Sequence, residues 1–186
     1  MDNYEQTEEV SLKSHAIKWG LILGVVSVIL ALLVYIVDIT LMADWKYIVL
    51  SIVVSIGILI YAGIDFRNQN GGFLPFKRAF VYSFITLAIA GIISTLFSIL
   101  LFTVIDPGAA EVITDASIDK VEAMLEGFGM DDNAIEQAME QAREDTEGKF
   151  TAGGMMLQFV YSLIGYAIFS LIIGAIIKKN HPEEEI

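Results

Sequence analysis

The chain alternates long uncharged apolar stretches with short polar connections. Four stretches contain no Asp, Glu, Lys or Arg: 19–37, 47–64, 79–105 and 150–177. At a rise of 1.5 Å per residue, roughly 20 residues of α-helix cross a hydrocarbon core of about 30 Å. Lipid offers the backbone no hydrogen-bond partners, so each stretch must close its own bonds as a helix. The pattern predicts an all-α, integral membrane four-helix bundle. Its spans are expected at about 17–37, 47–64, 79–105 and 153–177.

The connection 106–149 is the only sizeable polar segment, and it has a helical pattern of its own. Apolar residues recur there at intervals of three and four in two sets, which predicts two amphipathic helices. The sets are Ile118, Val121, Met124, Leu125 and Phe128, and then Ala134, Ile135, Ala138, Met139 and Ala142. Gly127 and Gly129 are expected to end the first helix, and residues 131–133 supply N-cap side chains for the second. We expect an exterior acidic α-hairpin whose apolar stripes face each other.

Most of the net charge lies in this connection. It has 13 acidic and three basic residues, a net charge of −10 compared with −12 for the whole chain. Repulsion from anionic headgroups is expected to keep the hairpin off the lipid surface. An acidic chain also lacks the basic surface that nucleic acid requires, so we expect no nucleic acid among its partners.

The composition agrees with a membrane protein. Of the 186 residues, 55% are hydrophobic, and the mean hydropathy is +0.65. A soluble domain of this size has too little interior to hide that much apolar surface. The absence of cysteine excludes disulfides, thiolate metal sites and cysteine nucleophiles. The lipid bilayer is therefore the first partner that we expect.

Basic residues near the span ends predict the orientation, because Lys and Arg favour the cytoplasm. Seven of the 11 flank the predicted spans on one side: Lys13, Lys18, Arg67, Lys77, Arg78, Lys178 and Lys179. The remaining four lie on the other side among many acidic residues. We therefore expect both termini to be cytoplasmic and the 106–149 connection to be exterior.

Small residues recur at a spacing of four in each predicted span, most clearly as Gly20 and Gly24. This spacing lets two membrane helices approach closely. The candidate helix-packing residues are Gly20, Gly24, Ser51, Ser55, Ala90, Ser94, Ser170 and Gly174. They are compatible with contacts within one chain and with pairing of two chains as a homo-oligomer, and the sequence leaves both open. Hydroxyl side chains within the spans are expected to hydrogen-bond between helices, with a substrate path as the alternative.

Ionisable residues lie at the span ends rather than inside the spans. Asp38, Asp65 and Asp106 are candidates for lining the mouth of a conduit, while the simpler interpretation is that they cap or flank helices. His15 and His181 also flank the membrane, far apart in the sequence. Neither has a neighbouring nucleophile or metal-ligand pair.

Motifs that carry catalysis are missing from the sequence. It contains no His-Glu-x-x-His, no phosphate-binding glycine loop and no Gly-x-Ser-x-Gly, so we expect no enzymatic activity and no cofactor. The carboxylates of the hairpin lack the spacing of a Ca²⁺ loop, and its three methionines fit apolar packing better than a Cu(I) site. We therefore expect no metal, and the acidic face remains suited to a basic partner.

Five segments, taken in order, resemble a known bacterial family. They are AIKWGLILG at 16–24, GFLPF at 72–76, VIDP at 104–107, GMDDNAIEQAME at 129–140 and SLIIGAIIKK at 170–179. The set is similar to that of the small four-span membrane proteins known as domain of unknown function 4199, and the likeness runs from about residue 14 to residue 179. The resemblance implies a multi-pass protein of the bacterial cell inner membrane. It assigns no activity and no catalytic residues.

Two hypotheses about function follow from these features. The first is a non-enzymatic accessory or structural component that acts through helix packing and its acidic exterior hairpin. It would bind another membrane protein or further copies of itself. The second is a small oligomeric transporter or channel with Ser and Thr faces inward. Convergence of polar positions from several spans on one wet cavity would favour the second hypothesis.

Overall fold

The computed structural model describes residues 10–180, and nearly all of this part of the chain is helical. His181 lies outside the described residues. The α-helices of the described part are α1 (Leu12–Asp38), α2 (Trp45–Gln69), α3 (Phe76–Leu100), α4 (Gly108–Gly127), α5 (Asp132–Lys149) and α6 (Ala152–Ile177). A 3₁₀ turn, Ile39–Ala43, continues α1, and a π turn, Leu101–Ile105, continues α3.

Four of these helices, α1, α2, α3 and α6, are long and apolar enough to cross a membrane. The predicted all-α class with four spans is thereby confirmed. Three of the helices extend beyond their uncharged stretches, since α1 begins at Leu12, α2 continues to Gln69 and α3 begins at Phe76. The reason is that a charged side chain on an exposed helix face, such as that of Lys18, leaves the backbone hydrogen bonds intact.

The central helix of the bundle is α3. It packs along α1 on one side and along α6 on the other, whereas α2 makes fewer contacts with its neighbours. Glycines allow the close approach of α1 to α3. A Cβ atom added at Gly20 would lie 2.7 Å from Cβ of Ile89, and one added at Gly24 would lie 2.6 Å from Cδ1 of Ile93. Such close packing supplies the van der Waals attraction that holds helices together in lipid.

Backbone hydrogen bonds tie together the end of the bundle at which α1 begins and α6 ends, here called the terminus end. The chain passes from α2 to α3 through Gly71 and Gly72, whose φ angles of +74° and +82° favour glycine. Leu74 then pairs with Lys179 as an isolated antiparallel bridge, with N···O distances of 2.8 and 2.9 Å. Nearby, Arg67 Nη1 donates to the last carbonyl of α6 at 3.1 Å.

At the opposite end, here called the hairpin end, α4 and α5 pack against each other as an α-hairpin. The first of these helices also packs against the 3₁₀ turn. It buries Ala109, Ile113 and Ile118 there, whereas Met124 and Phe128 are 54% and 76% exposed. The predicted apolar stripe is therefore buried only toward its start. The reason is that the connection between α1 and α2 covers the first half of α4, while the tip of the hairpin extends past it.

Polar contacts fix the hairpin to α1 and to the connection between α1 and α2, so the hairpin is docked on the protein. The Tyr35 hydroxyl donates to Asp106 Oδ2 at 2.9 Å. Lys120 Nζ donates to the Ala43 carbonyl at 3.1 Å and to Asp44 Oδ2 at 3.3 Å. A backbone N–H two residues further along the chain donates to Asp44 at 2.9 Å and holds the pKa of that carboxyl below its usual range.

Candidate functional site

Close packing of the four apolar helices is concentrated in the half of the bundle nearer the terminus end. Within α1 the buried residues end at Gly24, and within α2 they begin at Leu59. Within α3 itself they end at Gly91, one turn before the helix reaches its next serine. Toward the hairpin end the helices leave cavities between them. The two halves of one bundle thus differ in how tightly they are packed.

A cavity with a volume of about 340 Å³ lies between α1, α2 and α3. Hydroxyl groups from all three helices line it, and it is called the serine cavity below. The serines are Ser27 of α1, Ser51 and Ser55 of α2, and Ser94 and Ser98 of α3. On both α2 and α3 the two serines are four residues apart, which places them on one helix face. The volume is at the lower end of the range for small-molecule sites.

The serine cavity offers hydrogen bonds and apolar contact surface, and its lining residues are uncharged. The Ser27 hydroxyl donates to the Leu23 carbonyl at 2.9 Å, and the Ser51 hydroxyl donates to the Tyr47 carbonyl at 2.8 Å. Each of these hydroxyl protons is thereby used within its own helix, while the oxygen retains the capacity to accept a further hydrogen bond. Chemically, the cavity is equipped for binding.

A second cavity, of about 260 Å³, lies between α3 and α6. Its polar lining includes Ser94 and Ser98, which also line the serine cavity, together with Gln158 and Ser162 of α6. Gln158 Nε2 donates to the Lys149 carbonyl at 2.9 Å, which links α6 to the end of the hairpin. Hydroxyl groups of α3 therefore line cavities on two sides of this helix.

Toward the terminus end, α1, α2 and α3 bury one leucine each. Leu23, Leu59 and Leu87 are all buried, and they belong to α1, α2 and α3.

The predicted helix-packing residues fall into two groups. The first group lies in contacts within the chain: Gly20 and Gly24 face α3, a Cβ atom at Gly174 would lie 3.1 Å from the Phe80 backbone nitrogen, and Ala90 and Ser170 are buried. The second group lines cavities: Ser51 and Ser55 on α2 and Ser94 on α3. The same four-residue spacing therefore serves close packing in one half of the bundle and cavity lining in the other.

A buried polar cluster lies at the terminus end, where α1, α2 and α3 meet. His15 Nδ1 is 2.9 Å from the Tyr82 hydroxyl oxygen, and His15 Nε2 is 3.1 Å from Asp65 Oδ2. The Tyr82 hydroxyl also lies 3.1 Å from the Ala62 carbonyl oxygen, to which it can donate. Aromatic rings enclose the imidazole, with the Phe66 centroid 5.3 Å from it. This cluster holds three helices together through side chains that are all polar.

The three span-end aspartates have different roles. Asp38 accepts from the backbone N–H and hydroxyl of Thr40, so it caps the 3₁₀ turn. Asp106 accepts from the backbone N–H of Ala109 at 3.2 Å, at the start of α4. Asp65 instead pairs with His15, and its side chain is 34% exposed.

Reasoning from the sequence alone missed this polar cluster. The sequence shows no neighbouring nucleophile or metal-ligand pair for His15, and Asp65 and Tyr82 are 50 and 67 residues away along the chain. A signal was nevertheless present. All three residues lie near the same predicted membrane end, which places them at one depth once the four spans are folded into antiparallel helices.

Among the described residues, no group of three or more His, Cys, Asp or Glu side chains is arranged to hold a metal ion. A surface depression of about 290 Å³ between α4 and α5 is lined by Glu122, Glu126, Asp132 and Glu136 together with two apolar side chains. The ion pair between Arg143 Nη1 and Asp115 Oδ1, at 2.8 Å, joins the same two helices. The hairpin therefore presents a largely negative surface.

Comparison with known proteins identifies a family and no individual relative. A family model described as a protein of unknown function (DUF4199) matches residues 18–179. No curated protein and no solved structure gives a match.

Proposed function

The chain belongs to the DUF4199 family of proteins of unknown function, and we propose that it is a non-enzymatic accessory or structural component of the membrane that binds another membrane protein at its hairpin end. One observation carries this proposal: close packing ends halfway along the bundle. The terminus half is held together by its own contacts, whereas the hairpin half leaves hydroxyl-lined space and an acidic hairpin available to a partner.

The serine cavity supports this proposal because of what hydroxyl groups do in lipid. They stabilise the association of membrane helices by hydrogen-bonding between them, and each hydrogen-bonded pair typically contributes about 0.6–2 kcal/mol. In the serine cavity, helices of the same chain do not fill the space between these groups. A polar side chain from a partner helix is suited to fill it.

The hairpin supports the same location for the partner. Exposed carboxylates of Glu136, Glu140 and Glu144 follow one another at a spacing of four along α5, so they share one face. Such a face attracts a basic surface and speeds its association, and the attraction weakens with salt.

We place the protein in the cell inner membrane with both termini cytoplasmic and the hairpin exterior. The support is the distribution of basic residues, seven of which flank the terminus end. A reporter fused after Lys179 should be active only in the cytoplasm, and a reporter inserted at Gly129 only in the exterior compartment. The reverse pattern would overturn this orientation.

The proposed association is tested by affinity purification from native membranes at native expression, with quantitative mass spectrometry. The test variant changes Glu136, Glu140 and Glu144 to Gln. The matched control neutralises three exposed acidic residues of the hairpin outside that face, as Glu111→Gln, Asp119→Asn and Asp145→Asn. Recovery of a stoichiometric partner should fall by about tenfold in the test variant, equivalent to about 1.4 kcal/mol, and should persist in the control. Equal recovery from both variants, or recovery only of further copies of the chain, would refute a hairpin-bound partner.

A small oligomeric transporter or channel is the second candidate. The observation in its favour is that serines from three spans converge on one cavity. In this candidate, several copies of the chain together form the complete path. Flux in liposomes should then be lost in Ser94→Leu and Ser98→Leu and kept in Thr103→Val, an exposed hydroxyl residue outside the cavity. Equal flux in liposomes with and without the protein excludes this candidate.

A further inference from the structure

The imidazole of His15 is in hydrogen-bond contact on both of its nitrogens, with partners from two other helices. Nε2 faces the Asp65 carboxylate of α2 at 3.1 Å, and Nδ1 faces the Tyr82 hydroxyl of α3 at 2.9 Å. The ring itself is buried, and Tyr82 is buried completely. Buried polar groups in a protein must share a limited number of hydrogens, so the possible arrangements can be counted.

Tyr82 has one hydroxyl hydrogen and two acceptors within reach. If it donates to the Ala62 carbonyl, at 3.1 Å, then the contact with His15 requires a hydrogen on Nδ1. The contact with the Asp65 carboxylate requires a hydrogen on Nε2 in any case. In this first arrangement the ring carries both hydrogens and is a cation paired with Asp65.

The second arrangement has one proton less. The ring keeps the hydrogen on Nε2 and is neutral, and Nδ1 becomes an acceptor. The Tyr82 hydroxyl then turns from the Ala62 carbonyl to Nδ1. That carbonyl retains its place in the helix of α2, so the rotation leaves no buried group without a partner. Both arrangements fit the same positions of the heavy atoms.

We propose that His15, Asp65 and Tyr82 form a buried proton-binding site in which the Tyr82 hydroxyl rotates as the imidazole gains or loses a proton. Asp65 gives the site access to solvent at the terminus end, because its side chain is 34% exposed while that of His15 is 4% exposed. The site joins α1, α2 and α3, so the bound proton adds an ion pair between α1 and α2.

The charged and titratable groups that act on His15 come from all three helices. Asp65 from α2 favours the charged ring, and Tyr82 from α3 accommodates either form. Burial of the ring acts most strongly against its charged form, and Lys18, one turn further along α1, acts in the same direction by like-charge repulsion. Asp65 outweighs Lys18 because it is in direct hydrogen-bond contact.

Nitrogen NMR of the full chain, with ¹⁵N-labelled histidine and in lipid nanodiscs, tests the proposal directly. The chain has two histidines, so His181→Asn assigns the signals. Between about pH 4 and about pH 9, a range that brackets ordinary histidine titration, the His15 signals should change in one step. Both nitrogens should be protonated on the acid side, and only Nε2 on the basic side. A neutral ring protonated on Nδ1, or a ring that keeps one state throughout, would overturn the proposal.

Variants separate the contribution of each partner. Asp65→Asn should move the midpoint of the His15 transition down by about one pH unit or more, because the carboxylate no longer stabilises the cation. Tyr82→Phe should leave the neutral ring protonated on Nε2, as the Asp65 carboxylate requires, but should shift the ¹⁵N signal of the unprotonated Nδ1, because that nitrogen loses its hydrogen-bond donor. An aromatic ring against Phe66 is kept. Tyr61→Phe, an exposed tyrosine on α2, is the matched control and should leave both properties unchanged. An Asp65→Asn midpoint equal to that of the unchanged chain would refute the role of the carboxylate.

Discussion

The terminus half and the hairpin half of the bundle consist of the same four helices but differ in how these helices pack. In the terminus half, glycines bring α1 and α3 together, a polar cluster joins three helices, and a bridge between Leu74 and Lys179 closes the end. In the hairpin half, serines line open space and the acidic hairpin is held by a few exposed polar contacts. The difference indicates that stability is concentrated in one half and binding capacity in the other.

The packing difference between the two halves is tested most directly by the same substitution at one position in each half of a single helix. Leu59, in the terminus half of α2, is 1% exposed, whereas Leu50, in the hairpin half, is 47% exposed. Leu59→Ala should cost about 2–5 kcal/mol through the cavity that it leaves. Leu50→Ala should change the free energy of unfolding by less than about 0.5 kcal/mol. Thermal unfolding in detergent measures both, and equal losses would contradict the packing difference.

A second pair sharpens the role of the glycines. A Cβ atom at Gly20 would meet Ile89 and the carbonyl oxygen of Thr86, at 2.7 and 2.9 Å, whereas one at Gly57 meets nothing within 4 Å. Gly20→Ala should therefore destabilise by about 1–3 kcal/mol through overpacking. Gly57→Ala should be neutral or stabilising by up to about 1 kcal/mol, because alanine is the better helix former. A stable Gly20→Ala protein would show that α1 and α3 separate easily.

Serines on α3 allow the same comparison for polar positions. Ser83, in the terminus half, is fully buried, while Ser98 lines both the serine cavity and the cavity between α3 and α6. Ser83→Leu should cost about 1–3 kcal/mol, because no space exists for the larger side chain. Ser98→Leu should be tolerated within about 0.5 kcal/mol. The midpoints of thermal unfolding measure both effects. Similar losses of stability at both positions would mean that protein atoms already fill the space beside Ser98.

The smallest effect is expected where the hairpin meets the connection between α1 and α2. Lys120→Met removes the hydrogen bonds to Ala43 and Asp44, and the contact is largely exposed. The expected loss is below about 1 kcal/mol, as for other surface ion pairs. Proteolysis at the hairpin should accelerate, with the thermal midpoint of the bundle nearly unchanged. A large drop in that midpoint would mean that the hairpin stabilises the whole fold.

Most of the fold was predictable because membrane helices leave a direct record in the sequence. Uncharged length identifies a span, and the spacing of Ile118, Val121 and Leu125 identified a helix in the hairpin. The partners of each helix face were not predictable. Gly20 and Gly24 have the same spacing as Ser51 and Ser55, yet the glycines meet α3 and the serines line a cavity. Spacing specifies which residues share a face, and the face against which they pack depends on the whole bundle.

The polar cluster escaped prediction for a related physical reason. A histidine and an aspartate at span ends are ordinary interfacial residues when each is considered by itself. They become a hydrogen-bonded pair only because α1 begins at Leu12, so His15 lies inside the helix rather than before it. A search for uncharged stretches places the start of the first span after His15, so that this residue is left outside the predicted helix.

The π turn at Leu101–Ile105 contains one residue more than a regular helical turn. Its backbone bond from the Asp106 N–H to the Leu101 carbonyl, at 2.8 Å, spans one residue more than a regular helical bond. Each residue of an α-helix advances the direction of side chains by about 100°. Deleting one residue here would restore a regular helix but would turn Asp106 by about that angle, away from the Tyr35 hydroxyl that it accepts from. The extra residue thus sets the rotational phase in which the membrane bundle passes into the hairpin.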